Sequence, residues 1–185
     1  AGPTGHSDLM TGMYGVRANG STPNRIAIDK VGQYYKRADN GGTWAGSPVG
    51  DTALSSGSAE DTSHASCRRS YSMLMTDGYY NDSFTIGDVD TTNGPRITNP
   101  TTYQYTPVGP YSGNRSGTPV SNTFADVAMK YWVNDLRPNL PNNLRTVTGD
   151  EAYWQHMNFY AIGLGIEGTL DASDPAVLAS LTGNS

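Results

Sequence analysis

The chain has 185 residues, a formal net charge of −5 and a pI near 5.0, with 36% hydrophobic and 16% charged residues. That suits one domain with a real core and argues against nucleic acid as a partner, because scattered Lys and Arg cannot neutralise a run of phosphates. No apolar stretch approaches the roughly 18 residues of a membrane span, and Gly 22, Pro 11 and Tyr 12 against 12 Lys plus Arg is a loop-rich balance more typical of exported surface proteins than of cytosolic enzymes.

Residues 1–20 carry Gly2, Pro3, Gly5, Gly12, Gly15 and Gly20 without a period and read as irregular. At Thr22 the pattern changes. Thr22 is a good N-cap, Pro23 fits the first helical position, and Ala27, Val31 and Tyr34 at i, i+4 and i+7 predict a helix to about Arg37. Residues 38–66 are aperiodic and read as a long surface insertion. Tyr71 to Thr76, with the apolar run Met73-Leu74-Met75, then predicts a buried strand that ends on Asp77 and turns at Gly78.

Residues 79–117, rich in Gly, Pro, Asn and Tyr, read as a second long loop; loops of that length in a compact domain are functional or disordered. Asn122 or Thr123 caps the clearest helix, in which Phe124, Val127, Ala128, Tyr131 and Trp132 form one apolar stripe and which ends near Leu136, before Pro138. Phe159 to Gly165 predicts a second buried strand. A short helix follows, capped by Ser173 or Asp174 and opened by Pro175. Alternation of helix and strand predicts an α/β domain with a parallel sheet and flanking helices. Two strands do not make such a sheet alone, so either strands hide in the irregular segments or the domain is incomplete.

Asp77 stands where open α/β sheets keep their ligand sites, at the C-terminal lip of a strand. With the Thr22 hydroxyl it forms a donor pair of the kind that suits Mg2+ or Ca2+. Asp82, Asp88, Asp90 and Asn93 make a second oxygen-rich group, but no acidic residue closes it at an EF-hand spacing, so it reads first as a solvated loop, with Asp82 and Asp88 as weaker cation candidates. Tyr79, Tyr80, Tyr103, Tyr105 and Tyr111 concentrate in the second loop, either as contact residues for a ligand or partner or as side chains that pack the loop down. His156 lacks any Cys or Glu at zinc spacing and reads as a packed or capping histidine. The lone Cys67 is a free thiol, a partner for a cysteine elsewhere, or buried. Neither a Gly-x-Ser-x-Gly elbow nor a phosphate-cradling glycine loop is present, and no catalytic centre is expected.

Ser21-Thr22-Pro23 leading to Val31-Gly32-Gln33-Tyr34-Tyr35, then Cys67-Arg68-Arg69-Ser70-Tyr71 running into Leu74-Met75-Thr76-Asp77-Gly78-Tyr79-Tyr80-Asn81, resembles the N-terminal region of the PilC/PilY family of type IV pilus tip proteins. Tyr103-Gln104-Tyr105-Thr106-Pro107, Phe124 to Trp132, Asp135-Leu136-Arg137-Pro138 and Trp154-Gln155-His156-Met157 continue the resemblance in order. It implies a single von Willebrand factor A-like domain over residues 1–185, with a metal-ion-dependent adhesion site. Thr22 matches the threonine of that site and Asp77 its later aspartate. The Asp-x-Ser-x-Ser loop has no counterpart, since Asp61 to Ser66 misses the spacing by one, which implies a domain incomplete at its N-terminus.

The function so implied is adhesion or pilus assembly at the cell surface, outside the cell at the pilus tip. Its cofactor would be Mg2+ or Ca2+. Its partners would be minor pilins, another segment of the same protein completing the sheet, or a host or surface ligand, with no membrane insertion. Two alternatives differ in kind: a purely structural tip module with a vestigial metal site, and a metal-dependent hydrolase, which lacks a visible base and nucleophile.

Overall fold

The computed structural model describes residues 21–38, 66–77, 79–108, 120–165, 171 and 173–182, together with residues 7, 10–12, 14 and 44. In chain order the elements are α1 (Asn24–Tyr35), β1 (Ser70–Thr76), β2 (Arg96–Ile97), β3 (Tyr103–Gln104), α2 (Phe124–Val133), β4 (Met157–Gly163) and α3 (Pro175–Thr182). β1 and β4 pair in parallel from Ser70↔Met157 to Thr76↔Gly163, the arrangement expected from helix–strand alternation. The hidden strands exist but do not widen that sheet. β2 and β3 form a separate antiparallel pair, and β1–β4 stays two-stranded among the described residues.

Strand side chains alternate between faces, so β1 sends Ser70, Ser72, Leu74 and Thr76 one way and Tyr71, Met73 and Met75 the other. The first set meets α1 and α2. There Ile28, Trp44, Val127, Tyr131, Leu136 and Met157 form the core, with Leu74 and Phe159 packed against it. A second, smaller core gathers Ile97, Ala152 and Trp154 beneath Tyr103, Trp132 and Tyr153. The other face is bare: Tyr71 is 52% exposed, Met73 67%, Met75 62% and Tyr160 53%. The expectation of buried strands therefore holds for one face of β1 and for the start of β4 only, since Tyr160 to Gly163 are exposed on both faces.

Four further expectations are revised. Pro23, not Thr22, is the N-cap of α1, and no side chain of its own caps the helix. α2 stops at Val133, three residues before Leu136, where Asn134 turns to extended backbone. Within residues 1–20, read as irregular, the described positions 7, 10–12 and 14 are helical; Met10 and Tyr14 stand at i and i+4, a spacing the glycines obscured. Of the supposed surface insertion, Trp44 is 1% exposed and donates its indole N–H to the Arg68 carbonyl at 2.8 Å, so that segment delivers a core residue. The remainder of 39–65, and residues 109–119, lie outside the described residues.

α1 and α2 approach closely because Gly32 has no side chain: a Cβ there would overlap the Tyr131 ring, whose hydroxyl donates to Asp29 at 2.7 Å. Gly32→Ala gains about 1 kcal/mol of helix propensity but forces the buried ring out of place. It should destabilise the fold by about 1–3 kcal/mol net, measured as a lower denaturation midpoint. A midpoint raised by the substitution would show that the helices have room to part.

Candidate functional site

The C-terminal end of β1 is organised by one buried ion pair. Asp82 and Arg25 have side chains 2% and 8% exposed. The Arg25 Nε donates to Asp82 Oδ1 at 2.6 Å, its Nη2 to the Asp82 carbonyl at 2.5 Å, and its Nη1 to the Asn122 carbonyl. Its guanidinium also lies 4.0 Å from the centre of the Tyr80 ring. Asp82 Oδ2 meanwhile accepts the Arg25 and Ile26 amides at 3.0 and 3.4 Å, so a residue from the loop after β1 caps α1 in place of Thr22. Such first-turn amides are orphan donors, and a carboxylate there also answers the helix dipole. Asp82, expected as a solvated or weakly cation-binding residue, is instead committed to Arg25 and α1.

Thr22 and Asp77 lie at this same end. The Asn24 side-chain amide donates to Thr76 Oγ1 at 3.0 Å, joining the start of α1 to the last residue of β1. The Thr22 amide donates to Asn81 Oδ1, and the Asn81 amide returns to the Thr22 carbonyl at 3.2 Å. Asp77 is exposed and Thr22 half-buried. These contacts use the backbone of Thr22 and the neighbours of Asp77, leaving a hydroxyl and a carboxylate, both hard oxygen donors, at the lip of the sheet.

A denser group of carboxylates lies farther along the same loop. Oxygens of Asp88, Asp90 and Asp126 all fall within 4.8 Å of one another. Asp126 stands at the third position of α2 and completes a capping box with Thr123. Its Oδ2 accepts the Thr123 amide at 2.8 Å and its Oδ1 the Val89 amide at 2.7 Å, which fastens the Asp88–Asp90 turn to the helix. Asp90 is 3% exposed and Asp126 0%. Burial, with the negative charges of Asp126 and Asp88 beside it, pushes the Asp90 carboxyl up to about 6. Sequence reading missed Asp126, although Thr123-x-x-Asp126 carries the capping-box spacing that could have placed it.

The tyrosines divide. Tyr79 is 83% exposed. Tyr80 packs edge-on against Phe124, Tyr103 stacks on Trp154 at 4.8 Å, and the buried Tyr105 donates its hydroxyl to the Asp90 carbonyl at 2.6 Å. Packing therefore accounts for Tyr80, Tyr103 and Tyr105, although Tyr103 and Tyr105 also line a cleft of ≈ 680 Å³ with Met129, Trp132 and Phe159. Tyr111 lies outside the described residues. His156 is buried, 2.7 Å from the Trp154 carbonyl through Nδ1 and 3.2 Å from Asp150 through Nε2, a packed histidine as expected. Cys67 is exposed.

The chain matches the type IV pilus biogenesis factor PilY1 of Pseudomonas aeruginosa strain UCBPP-PA14 at 32% identity over 90% of its own length and 14% of the relative's. It matches the PilY1 proteins of strains PAO1 and PAK at 34% and 32% identity, over 82% of the chain and 13% of each relative. The chain thus spans about a seventh of these curated relatives. No family profile matches it, and no solved structure does.

Removing Asp82 strands a buried guanidinium and uncaps α1 at once, and breaking a buried pair from one side costs about 3–5 kcal/mol. Asp82→Ala should lower the urea midpoint accordingly, while the double change Arg25→Leu with Asp82→Leu recovers much of the loss. An Asp82→Ala midpoint equal to that of the parent chain would show that the pair does not hold this end together.

Proposed function

Because the chain belongs to the PilC/PilY family, we propose that it is an assembly and ligand-binding unit of a type IV pilus component, acting by binding and not by catalysis. The observation that carries this reading is the bare face of the β1–β4 sheet, where Tyr71, Met73, Met75, Tyr160 and Ile162 present apolar side chains to solvent. Parallel sheets are ordinarily covered on both faces. An apolar face of this kind marks a surface that another polypeptide segment covers.

The cover we infer is a further segment of the same polypeptide, as the curated relatives extend far beyond the matched stretch. A minor pilin on the same face is the competing occupant. A parallel sheet with α1 opening beside the end of β1 supports a von Willebrand A-like arrangement. In that arrangement Thr22 and Asp77 are two ligands of an Mg2+ or Ca2+ ion, with water and the bound partner filling the remainder. On this reading the domain works outside the cell, at the pilus tip. A purely structural variant keeps the sheet face and leaves the cation end unused.

Expressed alone, the 185-residue chain should self-associate through the bare face, and Met73→Lys with Ile162→Lys should return it to a monomer by light scattering. Cells relying on the long protein with the same two changes should lose surface pili. A monodisperse parent chain with a sharp thermal transition contradicts the proposal. So does full piliation by the double variant.

A further inference from the structure

Three carboxylates that converge at the N-terminus of α2 include one with nothing to neutralise it. Asp126 accepts three hydrogen bonds, from the Thr123 amide and hydroxyl and the Val89 amide, which leaves its carboxylate further capacity for a cation. Asp88 is half-buried and accepts the Thr91 amide at 3.2 Å. Asp90 differs from both: it is 3% exposed, and its Oδ1 is buried without a hydrogen-bond partner. Its backbone carbonyl is held by the Tyr105 hydroxyl at 2.6 Å, which fixes the residue facing its two acidic neighbours. Besides burial, Asp90 faces the charges of Asp126 and Asp88, a side-chain hydrogen bond with Asp88 and one backbone hydrogen bond, and no ion pair to any of the three is found among the described residues. Arg25, whose guanidinium reaches the carbonyl of Asn122 just ahead of the α2 cap, is committed to Asp82.

An uncompensated buried carboxylate among two others costs several kcal/mol unless a proton or a cation joins it. We propose that Asp88, Asp90 and Asp126 bind one hard divalent cation of the size of Ca2+, tying the loop after β1 to the first turn of α2. The spacing suits that ion. With metal–oxygen distances of about 2.3–2.6 Å, Ca2+ bridges oxygens up to roughly 5 Å apart, and the three carboxylate oxygens lie within 4.8 Å of one another. The helix N-terminus and the Val89 amide hold Asp126 in place before any ion arrives, so a cation meets a partly built site. This site is separate from Thr22 and Asp77 and does not depend on their role.

The test is calorimetric titration of the 185-residue chain with CaCl2, and separately with MgCl2, in chelator-treated buffer at neutral pH. The parent chain should bind one Ca2+ with Kd on the order of 10⁻⁵–10⁻⁴ M, and Mg2+ more weakly. Asp90→Asn, which keeps the shape and removes the charge, should weaken Ca2+ by about tenfold or more, and Asp88→Asn, at a half-exposed position, should do the same without risk to the fold. In excess EDTA, Asp90→Asn should melt no lower than the parent, because it relieves repulsion; in millimolar Ca2+ the order should reverse. Thr22→Ala with Asp77→Asn should leave this Ca2+ binding intact. The proposal is overturned if the parent chain gives no Ca2+ heat and no thermal shift, if Asp88→Asn and Asp90→Asn bind like the parent, or if only the Thr22 and Asp77 variant loses the ion.

Discussion

A parallel strand pair needs apolar cover on both faces, and the described residues supply it on one. α1 and α2 pack on Leu74, Met157 and Phe159 while Tyr71, Met73, Met75, Tyr160 and Ile162 stay outside. Fully burying a side chain of this size is worth about 1.5–3 kcal/mol, and each of the five is already partly covered. Completing the cover is therefore worth about 5 kcal/mol in all, comparable to the low end of a whole domain's net stability. A quantity of that size decides whether the sheet stands alone or belongs to something larger. The composition of β1 points the same way, because Met73 and Met75 are adaptable packing residues that serve well at a surface awaiting a partner.

Negative charge at the end of this sheet is managed in three different ways within a short stretch. Asp82 is neutralised by a guanidinium and caps α1 as it does so. Asp126 is neutralised in part by amide dipoles at the start of α2. Asp90 has neither device, although it is as deeply buried. The contrast gives Asp90 its weight, since its charge is left for a proton or a metal to answer. Arg25 links the arrangement across the chain: its contacts to Asp82 and Asn122 join α1, the loop after β1 and the residue that precedes the α2 cap. The Asn122 side chain extends the link by accepting the Ile86 and Gly87 amides at 2.7 and 2.9 Å.

Much of this was legible in the sequence where the signal is local. Apolar stripes placed α1 and α2, and the apolar run before Asp77 placed β1, because helix and strand periods act over a few residues. β4 begins at Met157, two residues ahead of its expected start at Phe159, since the buried Trp154-Gln155-His156 lead-in carries polar side chains that hide the strand's onset. The cap of α1 was not legible: Thr22 had the right chemistry, but the carboxylate that does the work lies 57 residues beyond the Arg25 amide it accepts. Trp44 was hidden by its Gly- and Ser-rich surroundings, and β2 and β3 by being two residues long each. Carboxylates drawn from two elements to one point carry no local pattern, so Asp126 joined Asp88 and Asp90 only once the chain was folded. The resemblance carried by the quoted motifs supplied the family, whereas the sheet face and the third carboxylate came from packing alone.

The most direct test of the covered-face account is methionine oxidation footprinting at Met73 and Met75, comparing the isolated 185-residue chain with the same residues within a long protein of the PilY1 type, as the account proposes. The account predicts rapid oxidation of both methionines in the isolated chain under conditions that also dissociate it, and strong protection in the long protein, with buried Met157 protected in each. Equal reactivity of Met73 and Met75 in the two settings would contradict it, for it would mean that the apolar face of the sheet meets water in the working protein.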